Sequence, residues 1–432
     1  MSSLFGGWVN SSIALWFKIW FQDKNTLPLD VSRVGIGFLL FFNYGMLTSA
    51  DVVALYGETG IFSRAVVPEM SQFSTFSFFN YFDQAWQLLT FHYVFVALCF
   101  CLMVGWRTRW VKWLVLIGHL SYFNRNEFVV YGVDTVVIAL LFILCVAPIG
   151  SALSLDRVRQ VRKHKNIHGL DSRPPLPTSP RGFACQRLLQ LQMAVIFFSA
   201  GTIKLGGDLW WSGVAPWAAL NNNEVAFVPM GLFAEHFWIV NLIAYGTVFV
   251  EVSYPFLIWS FKTRPYVLVA ALLLHVFIAV MMGMYFFASA MIVGHLAFMR
   301  RHWYAAAGAW WRQKTGPMEM IYDGQCGFCK RAMAWFLAYD GLQQISVRDY
   351  RTNPSPLVAS EQVDKALYLV TADEQALPGF DAYRYAVTRV PGLWWQVPMF
   401  YIPVFSKLLG RPIYNWIAAN RGIISQCVVK PS

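Results

Sequence analysis

Eight apolar stretches, each close to the length of a membrane-crossing helix, constrain the fold of this chain most. A helix needs about 20 mostly apolar residues to cross the hydrocarbon core of a bilayer. Only 13% of the 432 residues are charged, against about 25% in an ordinary soluble domain. The sequence therefore predicts an α-helical polytopic membrane bundle of about eight spans. These spans are expected at 31–50, 86–104, 110–124, 128–148, 184–204, 237–260, 265–283 and 284–299.

Basic residues are distributed unevenly over the segments between these stretches. Sixteen Lys or Arg and two acidic residues lie in the segments 105–112, 151–182, 261–264 and 300–314. The segments that alternate with them, 51–84, 124–127 and 205–236, hold two Arg and eight acidic residues. Because cytoplasmic loops are enriched in Lys and Arg, this pattern predicts a multi-pass protein of the cell inner membrane with both termini in the cytoplasm. The net charge of +11 then belongs to these loops, and no nucleic-acid partner is predicted.

Local composition indicates the domain boundaries. Residues 8–21 carry Trp and Phe beside one Lys, which is typical of a helix that lies on a membrane surface. The run DSRPPLPTSPR at 171–181 indicates a linker, because proline does not continue a helix, or alternatively a recognition segment. The predicted parts are an interfacial N-terminal segment at 1–28, a membrane bundle at 29–299 containing a basic Pro-rich cytoplasmic linker at 151–182, a basic connector at 300–316 and a C-terminal domain at 317–432.

After Lys314 the apolar runs become short and a small α/β pattern begins. Strands are predicted at 318–322, 344–350 and 366–371, and a helix is predicted at 326–340. A strand, a tight Asp-Gly turn and a helix that opens on Cys-x-x-Cys form the thioredoxin-like arrangement. The C-terminal domain is therefore predicted to be a small thioredoxin-like α/β domain.

The two cysteines of this motif suit thiol-disulfide exchange. Unpaired backbone N–H groups and the positive end of the helix dipole would favour the thiolate of Cys326. Cys329 lies one turn further on, where it can resolve a mixed disulfide. A zinc site is not predicted, because it needs four ligands and only Cys427 follows, with no His after His302. A structural disulfide is disfavoured in the cytoplasm.

Ionisable residues inside the apolar stretches are candidates for a function in the membrane, because a charge within a bilayer is costly. For a histidine the alternative is a structural hydrogen bond to a neighbouring helix. For a lysine near the end of a span, the alternative is an amine that reaches the interface. The candidates are Asp134, Lys204, Glu251, His275 and His295.

The C-terminal domain resembles a known family. The motif IYDGQCGFCKR is similar to the Asp-x-x-Cys-x-x-Cys signature of the DCC family of thiol-disulfide oxidoreductases, and GFDAYRYAVTRVPGLWW resembles a later segment of that family. The resemblance implies a thioredoxin-like fold with Asp323, Cys326 and Cys329 as catalytic residues. It also implies a protein or a small thiol as redox partner.

The membrane bundle resembles the HTTM family, the module related to vitamin K-dependent gamma-carboxylase. The resemblance rests on SAGTIKLGGDLWWSG, on NRNEFVVYG at 124–132 and on HVFIAVMMGMYFF at 275–287. In the carboxylase the lysine that matches Lys204 is regarded as the base working with a reduced quinone. The resemblance thus implies a catalytic Lys204 and a quinone-like lipid-soluble cofactor. Candidate substrate-binding residues of the module are Glu127, which stands where the carboxylase has a functional histidine, Asp134, Trp210, Trp211, Glu251 and His275.

Three functions remain open at this point. The first is an integral-membrane thiol-disulfide oxidoreductase whose cytoplasmic dithiol is coupled to a quinone-like or other substrate in the membrane module. The second is a membrane anchor or carrier with a reactive C-terminal domain. The third is a carboxylase-like membrane enzyme with an accessory redox domain. Replacing Lys204 or Glu251 separates the second from the other two, because an anchor tolerates both changes.

We predict that a reporter enzyme fused after Ser432 is active only if it functions in the cytoplasm, because the charge pattern places the C-terminus there. A reporter inserted in the acidic segment 205–236 is the control and should show the opposite pattern. Activity of a strictly periplasmic reporter after Ser432 would require an odd number of spans and would contradict the predicted topology.

Overall fold

The computed structural model describes residues 12–58, 60–61, 76–126, 129–221 and 231–428, except for the side chains of 231–232 and 421–428. The chain forms two compact units. The first comprises Met1–Ala152 and Pro177–Met299, and the second comprises Leu153–Leu176 and Arg300–Ser432. Most of the predicted Pro-rich linker and the predicted connector therefore belong to the second unit.

The first unit is built from α-helices. They are α1 (12–20), α2 (Leu27–Phe42), α3 (Val52–Tyr56), α4 (Ala85–Val104), α5 (Thr108–Phe123), α6 (Gly132–Val146), α8 (Pro180–Leu205), α9 (Asp208–Trp211), α10 (Ala215–Leu220), α11 (Gly231–Ala234), α12 (Phe237–Leu257), α13 (Arg264–Met282) and α14 (Tyr285–His295), while α7 (Leu155–His168) belongs to the second unit. A π-helical turn at Asn43–Thr48 extends α2, and short 3₁₀ helices lie at Phe78–Tyr81 and Leu296–Phe298.

Each predicted apolar stretch overlaps a helix, which confirms the helical membrane bundle. Among the described residues, five helices are long and apolar enough to cross a membrane: Leu27–Thr48, Ala85–Val104, Pro180–Leu205, Phe237–Leu257 and Arg264–Met282. Gly132–Val146 and Tyr285–Phe298 are shorter apolar helices, and α5 has 16 residues, which include Arg109 and Lys112. The number of crossings therefore stays a prediction.

A buried ion pair joins α2 to distant parts of the first unit. Arg33 Nε lies 3.2 Å from Asp30 Oδ1, and both side chains are fully buried. Arg33 also donates to the carbonyl oxygen of Leu102 at 2.6 Å, near the C-terminus of α4. Asp30 accepts the backbone N–H groups of Gly150 at 2.6 Å and of Ala152 at 2.9 Å. Since a buried charge needs partners, this pair holds three segments of the chain together.

The second unit contains a mixed four-stranded sheet in the order β2-β1-β3-β4. The strands are β1 (Met318–Tyr322), β2 (Ile345–Asp349), β3 (Tyr368–Val370) and β4 (Ala376–Pro378). Strand β1 pairs in parallel with β2 and antiparallel with β3, which pairs antiparallel with β4. The three predicted strands are confirmed. Strand β4 is three residues long and lies outside the predicted pattern.

Helices cover this sheet and complete the thioredoxin-like domain. They are α7, α15 (Arg301–Thr315), α16 (Gly327–Tyr339), α17 (Ser360–Val363), α18 (Gly379–Arg389), α19 (Val397–Tyr401), α20 (Pro403–Phe405) and α21 (Arg411–Val428), with a 3₁₀ turn at Pro391–Gln396 and a π-helical turn at Ser406–Gly410. Met333 and Phe336 of α16 share a buried apolar cluster with Met320 of β1 and Leu369 of β3. This core fixes α16, the predicted helix at 326–340, against the sheet.

Helix α7 is an element that the sequence analysis does not predict. It lies within the predicted linker and packs against α16, with Val161 fully buried. Arg173, which follows α7, donates to the carbonyl oxygen of Asp340 at the C-terminus of α16. A cation at this position stabilises the negative end of a helix dipole, so the basic segment supports the helix that begins at the Cys-x-x-Cys motif.

Candidate active site

Cys326 is the N-cap residue of α16, and its sulfur accepts the backbone N–H of Cys329 at 3.2 Å. Both cysteines are free thiols and half-buried. The first N–H groups of a helix lack partners within the helix, so one of them is directed at the sulfur of Cys326. This geometry stabilises negative charge on that sulfur, and it is the local arrangement that the sequence analysis expects. The catalytic roles of the two cysteines stay a prediction.

The carboxylate of Asp323 anchors the turn that carries the cysteines. The side chain of Asp323 accepts the backbone N–H of Gln325 at 2.9 Å. The backbone carbonyl oxygen of Asp323 accepts the backbone N–H of Cys326 at 3.3 Å. Arg351 donates from Nε to Asp323 Oδ1 at 2.7 Å and from Nη2 to Oδ2 at 3.2 Å. Asp323 is only 8% exposed. These contacts place Asp323 to hold the turn in position, and its catalytic role, which the family resemblance implies, stays a prediction.

The end of β2 supplies the remaining contacts to this turn. Because β1 and β2 are parallel, with Tyr322 opposite Asp349, the residues after both strands meet at one edge of the sheet. Asp349 Oδ1 accepts the backbone N–H of Gly324 at 3.0 Å. A Cβ atom at Gly324 would lie 1.9 Å from the Asp349 carboxylate, so a larger residue here would displace that carboxylate. The sequence analysis missed Asp349 and Arg351, although they lie at the carboxyl end of the predicted strand at 344–350, where ligand sites of parallel sheets occur.

A cavity of about 250 Å³ lies beside Cys329. Its walls come from α16, the segment 365–367, α18 and residues 396–418, and most of the lining side chains are aliphatic or aromatic. The hydroxyl-bearing rings of Tyr322 and Tyr383 are part of the lining. Apolar cavities with a few polar groups are typical of ligand sites. This cavity can therefore hold an apolar group next to the sulfur of Cys329.

The phenols of the cavity are neutral hydrogen-bond donors. Burial raises the pKa of Tyr383, and the neighbouring Tyr414 and Cys329 add to this effect. Burial, followed by the nearby carboxylate of Asp349, also raises the pKa of Tyr322. Both hydroxyl groups therefore stay protonated at neutral pH. They can orient a polar atom of a bound molecule without adding negative charge near the dithiol.

A second candidate site lies in the first unit, at the C-terminal end of α8. Lys204 Nζ lies 2.8 Å from Glu251 Oε2 and 3.0 Å from Oε1. The ring of Trp210 is 5.2 Å from Nζ. A close helix crossing allows this pairing, because a Cβ atom at Gly201 would lie 3.0 Å from the backbone nitrogen of Val252. The amine is thus held by an ion pair, whereas the sequence analysis left open that it reaches the interface.

A cavity of about 370 Å³ adjoins this ion pair. Lys204, Trp210, Trp211 and Phe249 are among the residues that line it. Glu251 is held beside it by its contact with Lys204. The structure thus brings together four of the candidate residues that the sequence analysis names in the membrane module.

The other candidate residues of the membrane module lie away from the Lys204 cavity or outside the residues that the structure describes. Asp134 accepts the backbone N–H of Tyr131 at 2.9 Å and so caps the N-terminus of α6. His275 is buried, with Nδ1 2.7 Å from the carbonyl oxygen of Ala271 on its own helix. Neither residue lines the cavity beside Lys204, so the structure does not place them in one site with that lysine. Glu127 lies outside the described residues.

His295 also has a structural contact, since its Nδ1 lies 2.9 Å from the hydroxyl oxygen of Tyr254. In the part of the chain that the structure describes, no group of three or more His, Cys, Asp or Glu side chains could hold a metal ion.

Comparison with known protein families gives two matches. A family model described as the HTTM domain matches residues 26–303, which is more than half of the chain. A family model described as DCC1-like thiol-disulfide oxidoreductase matches residues 320–426. No curated protein and no solved structure matches the chain. The two matches correspond to the two resemblances found in the sequence and occur in the same order.

We expect Asp323→Ala to make local unfolding of the turn at 323–326 and of β1 easier. The free energy of this local unfolding should fall by on the order of 1–3 kcal/mol, because buried hydrogen-bond donors lose their acceptor. Asp381→Ala is the matched control, since its ion pair with Arg411 at 2.9 Å is largely exposed and such pairs contribute about 0–1 kcal/mol. Hydrogen exchange of the full-length protein measures both effects. Equal losses in the two variants would contradict the anchoring role of Asp323.

We expect Lys204→Met to destabilise the first unit by on the order of 1–3 kcal/mol, because it leaves the carboxylate of Glu251 unpaired in apolar surroundings. The double variant Lys204→Met/Glu251→Gln should recover most of this loss, since both charges are then absent. Thermal unfolding of the purified protein in detergent measures the difference. A double variant that is less stable than the single variant would show that Glu251 has another essential partner.

Proposed function

Because this chain belongs to the HTTM family and carries a DCC1-like thiol-disulfide oxidoreductase domain, we propose that it exchanges electrons between the dithiol of Cys326 and Cys329 and a redox partner at the membrane. The observation that carries this proposal is the N–H···S contact of 3.2 Å at the start of α16. It favours a charged sulfur at Cys326 and leaves Cys329 as the second thiol.

The reaction proceeds in two steps of thiol-disulfide exchange. The thiolate of Cys326 attacks one sulfur of a partner disulfide, so that a mixed disulfide forms and the other partner sulfur leaves as a thiolate and takes up a proton. Cys329 then loses its proton and attacks the sulfur of Cys326. The internal disulfide forms, and the second partner sulfur leaves as a thiol. Two electrons pass from the dithiol to the partner, and the reverse sequence oxidises a partner dithiol.

The shape of the site supports a partner with an apolar group next to its reactive sulfur. The cavity of about 250 Å³ beside Cys329 is lined mainly by aliphatic and aromatic side chains. Tyr322 and Tyr383 add hydroxyl groups to this lining. An apolar side chain of a protein substrate, or an apolar small thiol, fits this lining and would hold the partner sulfur near the dithiol.

The charge pattern of the loops supports a cytoplasmic position for the dithiol. Sixteen Lys or Arg lie in alternate segments that include 300–314, directly before the domain that carries Cys326. Under the positive-inside rule these segments face the cytoplasm. The cytoplasm keeps thiols reduced, so the dithiol form is the resting form of the enzyme.

A second candidate function is the binding of a lipid-soluble quinone in the HTTM domain, at the end of α8 that the charge pattern places on the side opposite to the cytoplasmic dithiol. The cavity of about 370 Å³ beside Lys204 supports it, because the indole rings of Trp210 and Trp211 and the ring of Phe249 line this cavity. A quinone would supply a two-electron acceptor. Lys204, held by Glu251 at 2.8 Å, is placed to donate a hydrogen bond to a carbonyl oxygen of a bound ring. The aromatic walls would hold the ring by stacking.

We predict that Cys329→Ser traps mixed disulfides between Cys326 and the natural partner, because the resolving thiol is lost. Cys326→Ser should trap few, and the double variant, which keeps the other cysteines, gives the background. Non-reducing electrophoresis of membranes treated with acid to quench exchange measures the adducts. Equal trapping by the two single variants, or by neither, would contradict the assigned roles.

We predict that Trp210→Ala weakens the binding of a short-chain quinone analogue at least tenfold, because a stacking wall of the cavity is lost. Trp238→Ala is the matched control, since Trp238 is exposed and does not line this cavity. Lys204→Met/Glu251→Gln should weaken binding as well, while the dithiol keeps its reactivity towards small reagents. Equilibrium binding to the reconstituted protein measures the affinities. Unchanged affinity in both cavity variants would exclude a quinone at this position.

A further inference from the structure

The second unit concentrates most of its exposed large apolar side chains in one segment of the chain. Eleven of its sixteen exposed large apolar side chains, counted over the residues that the structure describes, lie between residues 394 and 416. They are Trp394, Trp395, Met399, Tyr401, Ile402, Val404, Phe405, Leu408, Leu409, Ile413 and Trp416. Contiguous apolar surface of this kind marks a binding face for a protein or a membrane.

The local sequence explains why these side chains are exposed. Prolines open the 3₁₀ turn at Pro391–Gln396 and the short helices α19 and α20, because proline fits the first turn of a helix. Each piece is too short to turn all of its apolar residues towards the core. The segment 394–416 therefore presents apolar side chains to the outside along its length.

This segment is nevertheless fixed to the fold. The ring of Phe400 stacks on that of Phe380 with their centres 5.1 Å apart, and Phe400 is buried. A Cβ atom at Gly410 would lie 2.9 Å from the ring of Phe380. The exposed side chains thus stand on a packed base, and the apolar surface belongs to the folded domain.

The charges of this region indicate the chemistry of its partner. Between Ala382 and Ser432 the sequence contains six Lys or Arg and no acidic residue. Two of these cations, Lys407 and Arg411, lie within the segment itself. Arg411 is ion-paired with Asp381 at 2.9 Å, which leaves Lys407 as the cation of the segment that pairs with no carboxylate among the described residues. Tryptophan and aliphatic side chains combined with Lys and Arg are typical of elements that lie in the interface of a bilayer. Cations near such a surface are attracted by anionic lipid headgroups.

We propose that the segment 394–416 docks on the surface of the lipid bilayer in which the HTTM domain resides. The HTTM domain at 26–303 belongs to the same chain, so this segment is tethered to a membrane at all times. Its apolar side chains enter the boundary between headgroups and acyl chains. Lys407 contacts anionic headgroups, which is a charge complementarity that an apolar protein surface would not provide.

Docking has a consequence for the dithiol, and this consequence rests on the proposed function. Met399 and Ile413 are exposed members of the segment, and both also line the cavity beside Cys329. The docking surface and the cavity therefore share a border. The apolar partner of the dithiol would meet the enzyme at the lipid surface, where apolar molecules and the cysteines of membrane proteins are concentrated.

Photo-crosslinking of the full-length protein tests the docking. Benzoylphenylalanine is placed at Val404, Leu408 or Trp416, each in a separate variant, and at Leu357 as the matched control. Leu357 is exposed in the same unit, outside the segment. The variants are reconstituted in bilayers of phosphatidylethanolamine and phosphatidylglycerol, and mass spectrometry identifies the adducts. We expect lipid adducts at the three segment positions, with a yield at least fivefold higher than at Leu357.

The identity of the crosslinked adducts shows whether lipid, the HTTM domain or a second copy of the chain covers this surface. Adducts with residues of the HTTM domain, or a crosslinked dimer, would show that the chain itself or a second copy covers the segment, and either result overturns the proposal. Yields at the level of Leu357 overturn it as well. Replacing phosphatidylglycerol by phosphatidylcholine should lower the yield severalfold, and an unchanged yield would contradict the contact between Lys407 and anionic headgroups. Thiol titration of Cys326 and Cys329 in each variant reports on the fold and the dithiol independently of docking.

Discussion

A charge in apolar surroundings must have a partner, and this requirement organises the first unit. The fully buried pair of Asp30 and Arg33 reaches carbonyl and N–H groups of segments that are far apart in the chain. It satisfies the backbone where helices end, which is where an apolar interior offers no water. Lys204 and Glu251 follow the same rule beside a cavity lined by tryptophan. One pair thus supports the bundle, and the other defines a site within it.

In the second unit, the buried carboxylate of Asp323 also has a charged partner, and its contacts differ in kind from those of the two cysteines. Asp323 is buried and paired with Arg351, and its contacts hold the turn in front of α16. The proposed reactive groups are the sulfur of Cys326, which accepts a helix N–H, and that of Cys329, which adjoins an apolar cavity. A carboxylate that orients a turn and thiols that exchange electrons are different parts of one site.

In the proposed docking, the membrane contributes to the redox site as well as anchoring the chain. The chain joins an HTTM domain to a DCC1-like thiol-disulfide oxidoreductase domain. The apolar segment 394–416 shares Met399 and Ile413 with the cavity beside Cys329. A redox domain that rests on lipid through this segment selects partners that are present at the same surface. This arrangement gives a physical reason for joining a reactive dithiol to a membrane bundle.

The sequence by itself determined the helical bundle, the thioredoxin-like domain and the place of Cys326 at the start of a helix, because these features depend on periodicity and on neighbouring residues. Only the tertiary structure decided that Arg351 clamps Asp323, that α7 packs on α16, and that Lys204 meets Glu251 at 2.8 Å. The partners in these contacts lie far apart in the chain, and their distance depends on how helices and strands pack. Local patterns carry no information on that distance.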